Sequence, residues 1–216
     1  MNAGGGEVRV PWWGRVSALA APVLLIGGWT VAARMQDGAF DPVVQTISAL
    51  AAQDADSSWV MTAAIAGTGL CHLVTALALR QASTVGRWWY AAGGLATTGV
   101  ALFPLPAQGS SPGHVVTATA AFGLLATWPA VERLAARSRH APANGVPRLR
   151  GLRPAVVAVG SVLLLGTLAW FAAEAAAGSD RVGVSERAAA GAQALWPLLV
   201  VLGGQSVQSG AKGGSM

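Results

Sequence analysis

Apolar residues gather in six long blocks, at about 16–33, 59–79, 88–105, 114–131, 155–176 and 188–204, separated by short polar or basic stretches. A helix rises about 1.5 Å per residue, so about 20 apolar residues cross the roughly 30 Å of bilayer hydrocarbon. The third, fourth and sixth blocks are shorter, which predicts little tilt or local thinning of the bilayer. A seventh, weaker pattern follows the first block. Asp41-Pro42 reads as a helix start, with Asp41 capping free amides and Pro42 at the first helical position. Val43, Val44, Ile47, Leu50 and Ala51 then fall on one side at three- and four-residue steps, leaving Gln45, Thr46 and Ser48 elsewhere. The pattern predicts an all-α, polytopic membrane protein. Its core is a six-transmembrane-helix bundle, and a short amphipathic helix lies on the membrane surface or folds back onto the bundle.

Placement of basic residues orients the bundle. Arg9, Arg15, Arg80, Arg87, Arg133, Arg137, Arg139, Arg148, Arg150, Arg153 and Lys212 fall on one side, against Arg34, Arg181 and Arg187 on the other. That division of 11 against 3 alternates across every block and predicts N-in/C-in topology by the positive-inside rule. Trp12, Trp13, Trp88, Trp89 and Tyr90 flank the cytoplasmic ends and Trp59 an outer end, where amphipathic rings settle. The first block follows Arg9 and Arg15 and ends in Val31-Ala32-Ala33, a faint likeness to a signal-peptidase site. Its length exceeds the usual core of about 7–15 residues, so an uncleaved helix is expected. The expected organisation is a cytoplasmic tail over 1–15, one transmembrane domain over 16–204 with a Pro- and Gly-bearing cytoplasmic linker over 137–154, and a flexible cytoplasmic tail over 205–216.

Composition agrees. Hydrophobic residues make up 53% and charged residues 11% of the 216 residues, whereas a soluble domain carries about 25% charged. Mean hydropathy is +0.52. Too little polar surface remains to coat a water-facing globule. The net charge of +5 is parcelled out among loops, not gathered on one soluble face, so lipid headgroups are the expected partner and nucleic acid is not. Abundant Ala, Gly and Arg with a single lysine suggests a GC-rich bacterial genome and a multi-pass protein of the cell (plasma) membrane. Small residues at Ala63-xxx-Gly67, Gly94-xxx-Thr98, Gly160 and Gly166 suit close helix packing.

Chemistry-bearing residues are few. Asp41, Ser48, His114, Glu186 and Arg187 share the outer side and define an expected polar pocket, although each has a structural role open to it. Asp41 and Glu186 suit helix caps, and Arg187 can reach headgroups along an apolar stem. His114 opens a helix, where the dipole favours a neutral imidazole bonded to a loop carbonyl. Cys71, the sole cysteine, and His72 lie inside the second block. Polar groups at that depth face the bundle interior, and a bond from His72 to a nearby carbonyl or Thr is expected. His72 lies about 20 Å from the outer surface by helical rise, too far from His114 to share a metal, and His140 is on the opposite side. No metal or cofactor is expected: there is no phosphate-binding glycine loop with Lys, no HExxH, no paired intramembrane carboxylate and no nucleophile elbow. Ser48, His114 and Asp41 offer a nucleophile, base and orienter, and His114 with Asp41 or Glu186 offers a base or ligand-binding group with its orienter. Arg34 and Glu174, near outer helix ends, are an expected ion pair.

The segment Asp41-Pro42-x-x-Gln45-Thr46-x-Ser48-x-Leu50, the Phe103-Pro104 that closes the third block, His114 and Glu186-Arg187 ahead of Trp196 together resemble domain-of-unknown-function family 998. The resemblance runs over about 16–202 and implies the fold, with no activity attached. Three functions fit the pattern. One is an outer-face site for a lipid, small amphiphile or partner membrane protein. The second is a membrane-embedded enzyme acting on lipid-linked substrates. The third is a small transporter or channel subunit with His72 on its path.

Overall fold

The computed structural model describes residues 10–38, 40–109, 111–138 and 150–203. Its elements are α1 (Trp12–Arg34), α2 (Ile47–Leu50), α3 (Ser58–Ala78), α4 (Thr84–Leu102), α5 (Pro112–Ser138), a 3₁₀ turn (Arg150–Leu152), α6 (Pro154–Ala177) and α7 (Val182–Leu202), with no strand among the described residues. The central part of the 137–154 linker, His140 and the C-terminal tail with Lys212 lie outside the described residues.

The six long helices close a ring in chain order. α1 packs on α3, α3 on α4, α4 on α5, α5 on α6, α6 on α7, and α7 returns to α1. α2 touches α1, α3 and α7 and sits across one end of the ring. Apolar side chains cover much of the outside, with Trp12, Val159, Val162 and Trp88 among the most exposed. Such a surface is costly in water and ordinary in hydrocarbon. α1, α3, α5 and α6 are long and apolar enough to cross a membrane. α4 and α7 are of similar length but carry Arg87 and Tyr90, and Glu186, Arg187 and Gln193. The ring shields this polarity. α7 buries Glu186, Gln193 and Ser185 against its neighbours, whereas α6 buries little beyond Val157, Gly160, Leu164 and Glu174.

Close backbone approach holds the ring. A Cβ on Gly69 of α3 would lie 2.3 Å from Thr98 Oγ1 and 2.7 Å from the Gly94 carbonyl of α4, and one on Gly94 would lie 2.9 Å from the Gly69 carbonyl. Only hydrogen fits between these two helices. Ser83 caps α4 by accepting the Gly86 amide at 2.9 Å, and Gly178, at φ 61°, ends α6 in the left-handed conformation.

Four expectations need correction. Asp41-Pro42 does not start a helix: Gln45 N donates to the Asp41 carbonyl at 2.8 Å in one isolated turn, and Thr46 caps the short α2 instead, accepting from Ala49 N at 3.1 Å. Asp41 Oδ1 accepts Val43 N at 2.8 Å, a local bond that competes with helix. Val43 and Val44 therefore stay exposed while Ile47 and Leu50 are buried. The last helix starts at Val182, not near 188, so Glu186 and Arg187 lie within its first turns. α1 starts at Trp12, ahead of the expected 16. Finally, Glu174 pairs with Arg181 at 3.1 Å and accepts Trp170 Nε1 at 2.9 Å, so its partner is not Arg34. Arg181 follows α6 by a few residues and is the nearer cation.

Gly69→Val should destabilise the purified protein by about 1–3 kcal/mol through overpacking, read as a lowered Tm. Gly166→Val, at a position with nothing within 4 Å, should leave it nearly unchanged.

Candidate functional site

The site is built around one carboxylate. Gly183, at the start of α7, brings the helix so close to the first interhelical loop that a Cβ there would lie 2.3 Å from the Gln45 carbonyl. Val184 N donates to the Val43 carbonyl at 3.0 Å. One turn on, Glu186 is buried, with its Oε2 accepting the Ile47 amide at the N-terminus of α2. Its Oε1 accepts the Ser48 hydroxyl at 3.2 Å, and the Ser48 amide adds to the set. A carboxylate beside free helix amides makes charge-assisted hydrogen bonds.

Arg187 completes the clasp from the other side. Its Nη1 donates to the carbonyls of Pro42 at 2.8 Å, Gln45 at 2.7 Å and Gly183 at 3.0 Å, and its guanidinium lies 5.5 Å from the Phe40 ring centre. The same carbonyls would be needed for helix if the chain from Pro42 onward coiled. α7 thus fixes the loop in a non-helical path that its own sequence does not dictate.

Below α2 the ring borders a half-open cavity, with about 70 Å³ of room for the centres of water-sized spheres. Apolar side chains such as Leu25, Ile65, Val100, Phe122 and Leu125 form most of its wall. The polar groups facing it are Ser48, Thr68, His72, Thr97, Glu186 and Gln193. His72 is buried about four turns into α3, and its Nδ1 lies 2.7 Å from the Tyr90 hydroxyl of α4. The Tyr90 ring stacks on Trp128 of α5 at 4.4 Å and 23°. Beside this pair, Thr75 donates to Ser17 Oγ at 3.1 Å, and Ser17 donates to the Cys71 carbonyl at 2.7 Å. These bonds tie α1, α3, α4 and α5 together at cavity depth.

The residues singled out from sequence separate into groups. Ser48 and Glu186 meet at the cavity, and His72 lines it from the far side. Asp41 and Arg187 belong to the loop clasp above it. His114 is elsewhere: buried at the start of α5, its Nδ1 lies 2.9 Å from the Phe103 carbonyl. No hydrogen bond joins any two of Ser48, His114 and Asp41 among the described residues, so no nucleophile–base pair is assembled. The Cys71 side chain is half-buried. Among the described residues no three His, Cys, Asp or Glu side chains gather closely enough to hold a metal ion.

Sequence reasoning missed Thr68, Thr97 and Gln193, ordinary-looking residues in apolar runs whose placement follows from which helix face turns inward. It also missed Glu132, buried in α5, whose carboxylate accepts Ser83 N at 2.9 and 3.0 Å and Ser83 Oγ at 2.6 Å. An acidic residue one helical turn beyond Trp128 was the available signal.

An all-helical chain with membrane-like helices, a plugged ring and a mainly apolar cavity is what fold and site define. The chain matches the family described as Protein of unknown function (DUF998) over residues 19–203, and it belongs to that family. No curated protein and no solved structure matches it.

Glu186→Ala leaves the Ile47 amide buried without a partner and should cost about 1–3 kcal/mol. Asp41→Ala, at an exposed turn, should cost a small fraction of that. Thermal melts of the two purified variants against wild type check the order.

Proposed function

We propose that this chain is an integral membrane protein of the cell membrane that holds a small amphiphile in the cavity under α2. The observation that carries the reading is the cavity itself. It is apolar over most of its wall and supplied with a few convergent polar groups, a lining expected of a binding site. Six spans with both termini in the cytoplasm, forming one transmembrane domain over 16–204, are part of the same proposal. The ring of six long helices and the 11-to-3 division of basic residues support it. On that topology α2, Glu186 and Arg187 lie at the outer leaflet, where an amphiphile would enter beside the loop clasp.

Passage of a ligand through the bundle is the second reading. One observation favours it: the cavity touches both Glu186 at the α2 end and His72 at depth. In proteoliposomes this reading predicts a flux that His72→Phe removes.

The binding reading is tested by filling the cavity. Ala121 is buried in its wall, and Ala121→Phe should abolish an adduct that native mass spectrometry finds on the wild-type protein, with helical content unchanged. Absence of any adduct from wild type, or an adduct retained in the filled variant, contradicts it.

A further inference from the structure

The hydroxyls and the carboxylate that face the cavity are acceptors, because the hydroxyl hydrogens are engaged elsewhere. Thr68 donates to the Ala64 carbonyl at 2.7 Å and Thr97 to the Gly93 carbonyl at 2.9 Å, each within its own helix. Ser48 donates to Glu186 at 3.2 Å. The Gln193 amide nitrogen donates to the Phe122 carbonyl at 3.2 Å across the α5–α7 gap. What remains toward the cavity is lone pairs: three hydroxyl oxygens, the Gln193 amide oxygen and the two carboxylate oxygens of Glu186. A carboxylate has about four acceptor positions, so the bonds from Ile47 and Ser48 leave it capacity. His72 is buried with its Nδ1 on the Tyr90 hydroxyl, and its Nε2 is a donor or an acceptor according to the tautomer. The one donor plainly left over among the wall's hydroxyls and amides is the second hydrogen of the Gln193 amide.

Charge points the same way. Among the described residues Glu186 is the only formally charged one in the wall, and no Lys or Arg lines the cavity. Arg187, its neighbour but not in the wall, gives its Nη1 to the loop carbonyls and lies over Phe40, while its Nη2 is buried without a hydrogen-bond partner among the described residues.

We propose that the cavity selects an amphiphile with a donor-rich cationic head, a primary alkylammonium, seated among Glu186, Gln193, Thr68 and Thr97 with its chain along the apolar wall. This rests on the binding reading above. An ammonium offers three donors and no acceptor, which matches a wall of acceptors around one carboxylate. A carboxylate or phosphate head would face Glu186 with no cation in the wall to answer it. A sugar-like head brings as many acceptors as donors, and the wall has too few hydrogens for them. A bare inorganic cation would leave the apolar majority of the wall without a partner.

The test uses full-length protein in nanodiscs and three ten-carbon probes: decylamine, decanol and decanoate. Binding is measured by calorimetry with empty discs subtracted. Decylamine should bind about tenfold tighter than decanol, the scale of one charge-assisted hydrogen bond, and decanoate should bind most weakly. Glu186→Gln should bring decylamine down to the level of decanol. Because Glu186 also holds α2, Gln193→Leu provides a second variant that leaves the carboxylate in place. It should weaken decylamine about threefold with decanol unchanged or improved. Decanoate equal to or tighter than decylamine overturns the assignment, as does an amine-to-alcohol ratio that neither variant moves. Tight decanol binding without amine preference defeats the head-group assignment alone. Failure of all three probes to bind defeats the amphiphile-binding reading beneath it.

Discussion

A carboxylate buried away from water persists only where hydrogen bonds or opposite charge replace its hydration. Glu186 meets that requirement in an unusual place, between the beginnings of two helices. Its own helix α7 has just started, and α2 presents the Ile47 and Ser48 amides to it from a loop more than a hundred residues earlier in the chain. Both helix ends favour negative charge. A four-residue helix such as α2 has no stability of its own in solution; its position over the ring depends on this bond, on Arg187 holding the loop carbonyls and on the absence of a side chain at Gly183. The position of the plug beside the cavity follows from these three residues of α7.

Placing a polar helix in a bundle of apolar ones has a structural counterpart. α7 carries Glu186, Arg187 and Gln193 and is the most thoroughly buried of the long helices, while α6 carries almost no polarity and faces outward along most of its length. In hydrocarbon, unsatisfied polar groups cost several kcal/mol, so sequence polarity alone sorts these two helices between the inside and the outside of the ring. The same sorting puts acceptor groups at the cavity, because hydroxyls in a long helix give their hydrogens back to the carbonyl one turn earlier, as Thr68 and Thr97 do.

Much of this was legible in the residues. Six apolar blocks became six long helices, since a run of about 20 apolar residues has few alternatives to helix. The family match over 19–203 agrees with the resemblance carried by the segment from Asp41 to Leu50 and by Glu186-Arg187. The beginning of α7 was misplaced because charged residues read as the end of an apolar block; their burial depends on partners from a distant loop. The path of the chain from Asp41 to Gln45 was misread for a related reason. Apolar spacing there fits a helix, but Arg187 captures the carbonyls such a helix would use. The cavity was invisible in the sequence. Thr68, Thr97 and Gln193 meet there through the rotation of three helices about their axes, which is set by contacts such as Gly69 against Gly94 and not by local pattern. The Tyr90 partner of His72 was missed likewise, since Tyr90 reads as an interfacial aromatic in a Trp88-Trp89-Tyr90 run.

Whether Glu186 holds the α2 plug in place is read from hydrogen exchange at the Ile47 and Ser48 amides of the protein in a bilayer. These amides end on a buried carboxylate, so they should exchange as slowly as amides within the neighbouring long helices, far slower than those of the exposed turn at Asp54–Asp56. Exchange at the rate of that turn would mean that α2 is not held by α7.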